Sequence, residues 1–343
     1  MLNRNAGLDI LRASAIILVL NCHIASTLGA SGPWRAFGWG GRGVDLFFVL
    51  SGWLLGYQLC RELCDTGTLD FKRFWLRRWL RTLPAYYVIL LLPTFGWQLF
   101  RFGPEVLDAR FLIFTQNYLP EMPYFGISWS LCVEEHFYLA IAPILLLVYR
   151  FPWTRWLLIP LLLLPTACRA MNWYTTSTQT HVRYDQCAVG VILAAVAVYA
   201  PTLWKRLCRL APYLATIATA ALCLPILARS VKGFPDIEYG RLVYGEALYA
   251  VLFGALVLLM NSRTFFSESL RSAPIHYLAN RAYALYLVHI EALSLVSRLD
   301  VPSPVFCIGV WGISLVMAEI LHRCIEQPFM NLRERIPAAR HRT

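Results

Sequence analysis

Residues 8–30 read LDILRASAIILVLNCHIASTLGA, an apolar run interrupted by one acid (Asp9), one guanidinium (Arg12) and one imidazole (His23). At about 1.5 Å rise per residue, a helix of this length spans roughly 35 Å, enough to cross a hydrocarbon core of about 30 Å. Nine similar stretches follow, at about 43–60, 84–102, 129–149, 153–170, 184–200, 209–228, 243–260, 276–296 and 304–325. Of the 343 residues, 58% are hydrophobic and 15% charged, and mean hydropathy is +0.53. These values exclude an ordinary soluble domain. They predict an all-α polytopic membrane protein of about ten transmembrane helices. The first span carries charges and runs directly into further spans, so it reads as retained rather than cleaved.

Orientation follows from the short loops, because cytoplasmic loops accumulate Lys and Arg. Nineteen of the 31 Lys and Arg fall on one set of alternate loops, ten on the other, and Arg12 and Arg281 lie inside spans. Both termini are therefore expected on the cytoplasmic side. The net charge of +11 sits at membrane ends, facing lipid headgroups, and does not predict nucleic-acid binding. The ten cysteines show no CxxC or zinc-ligand spacing, so they read as small hydrophobes and no metal is expected. One membrane domain, 1–343, is expected, with a short cytoplasmic tail over about 326–343. Its longest loops run over 61–83, inside, and 103–128, outside, where an apolar patch suggests an interfacial or re-entrant segment.

Ionisable groups inside a membrane usually face the protein interior and mark function. Arg12 and His23 are eleven residues apart, so on a helix they share a face to within about 20° and lie roughly 16 Å apart along the axis. A cationic clamp and a titratable base at that separation suit one extended ligand; lipid snorkelling and helix–helix hydrogen bonding explain them equally well. Counting along the spans places Asp45, Glu134 and Glu135 in the outer layer with His23. His289 and Glu246 fall at similar depth and are read as structural. Arg77, Arg78 and Arg81 in FWLRRWLRTLP (74–84) suit phosphate binding or a simple positive-inside anchor. Glu319, His322, Arg323 and Glu326 form one structural stripe, with Glu319 and Arg323 able to pair.

Several segments, in order, resemble the acyltransferase-3 family of bacterial membrane acyltransferases. They are GLDILRASAIILVLNCH (7–23), GGRGVDLFFVLSGWLLG (40–56), FWLRRWLRTLPAYY (74–87), SWSLCVEEHFYLAIAP (128–143), RYDQCAVGVILA (183–194), RAYALYLVHIEAL (281–293) and CIEQPFMNL (324–332). His136 stands where the family pattern has Gln, and Trp53 where Phe is usual. The resemblance implies a multi-pass protein of the bacterial inner membrane that moves an acyl group, acetyl above all, from acyl-CoA to a hydroxyl of a glycan or related acceptor. It implies no permanently bound cofactor. By position, His23 matches the family's proposed catalytic histidine, Arg12 its partner, and Arg78 and Arg81 the arginine motif. The chain stops soon after the tenth span, without the hydrolase-like domain some members append, so an accessory partner protein is a further expectation.

On this reading the donor phosphates fall to Arg77, Arg78, Arg81 and Arg12. His23 takes the proton of the attacking hydroxyl, or forms an acyl-histidine, and Asp45 or one of Glu134 and Glu135 orients the imidazole. Acceptor recognition is placed in loops 103–128 and 229–242. Tyr118, Tyr124 and Phe125 there read as interfacial anchors before sugar-stacking groups. The rival class is a glycan or lipid-intermediate exporter, but no pseudo-symmetric pair of Gly/Pro-broken spans is present.

Overall fold

The computed structural model describes residues 5–29, 32–100, 107–122, 124–230, 243–262 and 272–336. Each of the ten apolar stretches contains a helix: α1 (Ala6–Thr27), α2 (Gly43–Thr66), α3 (Phe71–Phe100), α4 (Trp129–Arg150), α5 (Leu158–Ala170), α6 (Asp185–Tyr199), α7 (Pro201–Ser230), α8 (Gly245–Asn261), α9 (Ala273–Val296) and α10 (Ser303–Leu321). A π-helical turn at His322–Glu326 joins α10 to a short α11 (Gln327–Glu334). No strand occurs among the described residues. Five helical segments are long and apolar enough to cross a membrane: Ala6–Thr27, Trp34–Thr66, Gly126–Arg150, Pro201–Ser230 and Ser303–Glu334. This is a helical membrane protein. The tail expected over 326–343 is helical to Glu334, and 337–343 lie outside the described residues, as do 103–106 and 231–242 of the two outer loops.

Local chemistry sets the helix ends. The Asn5 side chain accepts from the Gly7 and Leu8 N–H groups and caps α1 (2.8 and 3.4 Å). Ser272 accepts from the Ile275 N–H and caps α9 in the same way. The inner loop expected over 61–83 is much shorter, only residues 67–70. Gly67, at φ +71°, ends α2, a conformation other residues adopt at a cost. Asp70 then accepts from the Arg73 N–H at 3.0 Å and starts α3 thirteen residues before its expected first residue. The arginine motif is therefore helical throughout.

The chain divides into two compact units, Met1–Gln58 with Asp185–Met317, and Leu59–Tyr184 with Ala318–Thr343. In the first, α1 packs against the 3-10 segment Gly32–Arg42 and α9, while α8 packs against α6 and α7. Its core includes Ile16, Val19, Leu20, Val49, Tyr249 and Val257, all fully buried. Helices α2 and α6 approach through glycines. A Cβ at Gly52 would lie 2.1 Å from the Cys187 carbonyl oxygen, and one at Gly190 2.3 Å from that of Val49. Only glycine admits this contact, as in small-residue helix pairs generally. Gly190→Val is expected to destabilise the protein by at least the ~1–3 kcal/mol typical of overpacking. Thermal unfolding in detergent checks this, and a wild-type midpoint would contradict the close approach.

In the second unit, residues 107–122 and 124–128 fold onto the middle of α3. The Tyr86 hydroxyl donates to the Phe111 carbonyl at 2.8 Å and accepts from Gln116 Nε2 at 3.1 Å. Phe111, Gln116 and Asn117 are fully buried. Its buried residues pack into the interior of the unit, and Phe114 and Phe125 turn the segment at positive φ.

Candidate active site

In the first unit, α1 and α9 bring two histidines together. His23 Nδ1 lies 3.0 Å from the Val19 carbonyl oxygen, one turn earlier, and 3.2 Å from Nε2 of His289. The ring centroids are 4.9 Å apart. His289 is buried, with Nδ1 at 2.7 Å from the Tyr286 carbonyl oxygen and 3.2 Å from that of Leu285. Carbonyls only accept, so Nδ1 of His289 carries its proton and Nε2 presents a lone pair. His23 Nδ1, facing a carbonyl and that lone pair, must itself be the N–H donor. The proton-free nitrogen of His23 is then Nε2, which has no hydrogen-bond partner among the described residues. A base needs this tautomer, and two backbone carbonyls enforce it through His289.

The sequence reading offered Asp45, Glu134 or Glu135 as the group orienting His23 and left His289 as structural. Within this unit the side chain against the imidazole is His289, not Asp45. Asp45 is fully buried, accepting from Arg42 Nη1 at 3.1 Å and from Gln186 Nε2 at 3.3 Å. Glu246 accepts from the same two donors, at 2.9 Å from Arg42 and 3.2 Å from Gln186. The Arg42 guanidinium also covers the Tyr249 ring, 4.3 Å from its centroid. Asp45 is thus one arm of a buried ionic lock joining α2, α6 and α8 to the 3-10 segment. The signal in the sequence was the i, i+3 spacing of Arg42 and Asp45 within GGRGVD.

Arg12 Nη1 donates to Asp9 at 2.8 Å, and Asp9 lies 3.5 Å from His276 Nδ1 on α9. Arg12 and His23 stand on one continuous α1, as the spacing predicted.

In the second unit, Arg78 Nη2 donates to Glu134 at 2.9 Å and to the Tyr138 hydroxyl at 3.1 Å. Glu135 is buried, accepts from Thr82 Oγ1 at 3.1 Å and lies 3.9 Å from Arg78 Nε. Counting along the spans had set Arg78 at the inner surface and both glutamates in the outer layer. Groups in contact occupy one level, so those depths are corrected. The cause is the long α3: hydropathy falls over its arginines, yet their pairing lets the helix continue through them. Arg77 Nη1 donates to the carbonyls of Arg333 and Ile336 at the end of α11 (3.0 and 2.6 Å), while Arg81 is exposed. His136, at the position of the family's Gln, lies 2.7 Å from Thr180 Oγ1.

A helical membrane protein with this histidine and arginine arrangement matches, over residues 5–319, the acyltransferase-3 family, described as an acyltransferase domain. The chain belongs to this family. It is 26% identical, over 94% of its length, to "Peptidoglycan O-acetyltransferase OatA" of Listeria monocytogenes, 55% of which it covers. It is 28% identical to "Putative peptidoglycan O-acetyltransferase YrhL" of Bacillus subtilis, again over 94% of the chain and 54% of that protein. A "Putative O-acetyltransferase" of Staphylococcus aureus is 25% identical over 94% of the chain and 57% of its own length. The chain therefore spans about half the length of these acyltransferase relatives. No solved structure matches it.

Proposed function

We propose that this chain is an O-acetyltransferase of the bacterial inner membrane, moving an acetyl group from acetyl-CoA to a hydroxyl of a glycan of the peptidoglycan class. The His23–His289 pair carries the proposal, because it leaves an imidazole with one nitrogen held and the other open. The names of the relatives support the acceptor class. Ten crossings with both termini on the cytoplasmic side, the orientation the Lys and Arg distribution favours, complete the proposal.

The acceptor hydroxyl gives its proton to His23 Nε2 as its oxygen attacks the thioester carbonyl. The resulting imidazolium is stabilised through Nδ1–H by the His289 lone pair and the Val19 carbonyl. Collapse of the tetrahedral intermediate breaks the carbon–sulfur bond, and the departing thiolate takes the proton from Nε2. The products are the acetyl ester and free coenzyme A. Arg12, held by Asp9, is assigned to donor negative charge along α1, and the arginines of α3 to its phosphates. Glu134 and Glu135 serve by holding Arg78.

The test is thiol release from acetyl-CoA by the purified protein in nanodiscs, with and without a peptidoglycan-derived acceptor, together with base-labile acetate on the recovered glycan. Release that neither needs the acceptor nor leaves an ester on it would overturn the proposal and favour an exporter. His289→Ala is expected to lower kcat by about 10- to 100-fold, the value of a lost orienting hydrogen bond, with KM for acetyl-CoA little changed. His289→Gln, whose amide oxygen accepts from His23 Nδ1, should recover much of the loss. Equal damage by both substitutions would reduce His289 to packing.

A further inference from the structure

The arginines of the second unit are not evenly compensated. Arg78 has Glu134, but Arg77 and Arg333 have no carboxylate within ion-pair distance among the described residues. Arg77 spends Nη1 on the carbonyls of Arg333 and Ile336, which sets its guanidinium against the backbone of α11. Arg333, on the last turn of that helix, feels the positive charges of both Arg77 and Arg78, and among the described residues the acid acting on it is its exposed neighbour Glu334. Its own donors are poorly used: Nε is buried with no acceptor among the described residues, and Nη1 meets Met330 Sδ at 3.6 Å, a weak acceptor.

Like charges held together and a buried N–H left without an acceptor are each unfavourable. One multi-oxygen anion relieves both. A guanidinium that merely anchors the chain at a headgroup layer keeps its donors in water, whereas Arg333 Nε is shielded from it. The fork of a guanidinium matches the oxygens of a phosphate. We propose that Arg333, together with Arg77, forms an anion site for a phosphate group, supplied by the coenzyme of the donor or by an anionic lipid headgroup. The coenzyme assignment rests on the acetyltransferase reading above; the site itself does not.

The experiment uses the full chain in phosphatidylcholine nanodiscs, with Arg333→Gln and Arg333→Lys. The ratio of kcat/KM for acetyl-CoA to that for acetyl-pantetheine, which lacks every phosphate, is expected to fall about tenfold in Arg333→Gln and less in Arg333→Lys. If the phosphate comes from lipid, that ratio stays constant and the change in rate on adding phosphatidylglycerol to the nanodiscs is lost in Arg333→Gln. Thermal stabilisation by coenzyme A and by phosphatidylglycerol is read in parallel and needs no turnover. An inactive wild type whose stabilisation by either still depends on Arg333 would sink the acetyltransferase reading and keep the site. Wild-type donor ratio, lipid response and stabilisation in both variants would overturn the site.

Discussion

Replacing His23 by alanine is expected to lower acetyl transfer by about 10²- to 10⁴-fold, the usual contribution of a positioned general base. The protein itself should remain folded. Alanine is the best helix former and fits the penultimate turn of α1 without strain. The lost side-chain bonds are those to Val19 and His289, and His289 keeps its two carbonyl partners. Initial rates of acceptor-dependent thiol release, beside protein yield and thermal midpoint, make the comparison. A His23→Ala protein that turns over at the wild-type rate removes His23 from the chemistry, whatever its neighbours do. If transfer runs through an acyl-histidine instead, a burst of thiol before steady state will separate that route from direct attack in the wild type.

Arg42→Ala is expected to be the most damaging single change to stability, by about 3–5 kcal/mol, the cost of leaving buried charge without its partner. Asp45 and Glu246 are both buried and both pair with the Arg42 guanidinium. Removing it sets two carboxylates against each other, with Gln186 still donating to both. Unfolding in a mixed-detergent titration gives the number. The triple change Arg42→Ala, Asp45→Asn, Glu246→Gln removes all three charges and should recover part of the loss, since residues of one network do not act additively. An Arg42→Ala midpoint equal to wild type would show that the lock contributes little. Asp45→Asn alone separates the two roles considered for this residue: a stability loss with kcat preserved in the folded fraction fits the lock, and lost kcat at full stability would return Asp45 to the chemistry.

The element pattern was legible in the sequence because it is local. An apolar stretch of membrane length makes a helix wherever its backbone groups must satisfy each other, so each of the ten stretches became one. The relation of Arg12 to His23 followed from helical rise and twist alone, and the ordered motifs pointed to the family that the chain proves to match. Charge density misled at helix ends, by eight residues at the start of α7 and most of all, by thirteen, at α3. There Asp70 starts the helix early, and pairing of Arg78 with Glu134 removes the reason for it to end.

The partners of the site were decided elsewhere. His23 and His289 are 266 positions apart, Arg78 and Glu134 56, and Arg42 and Glu246 204. Depth counted from span ends carries an error of several residues, each worth about 1.5 Å, against a hydrogen bond that needs its atoms within a few tenths of an ångström. Composition and spacing therefore determined that this is a helical membrane protein with an arginine and a histidine on one helix face. Only packing in three dimensions chose which neighbour fixes the histidine's tautomer, which acids are spent on structural arginines, and which arginines are left to face an anion.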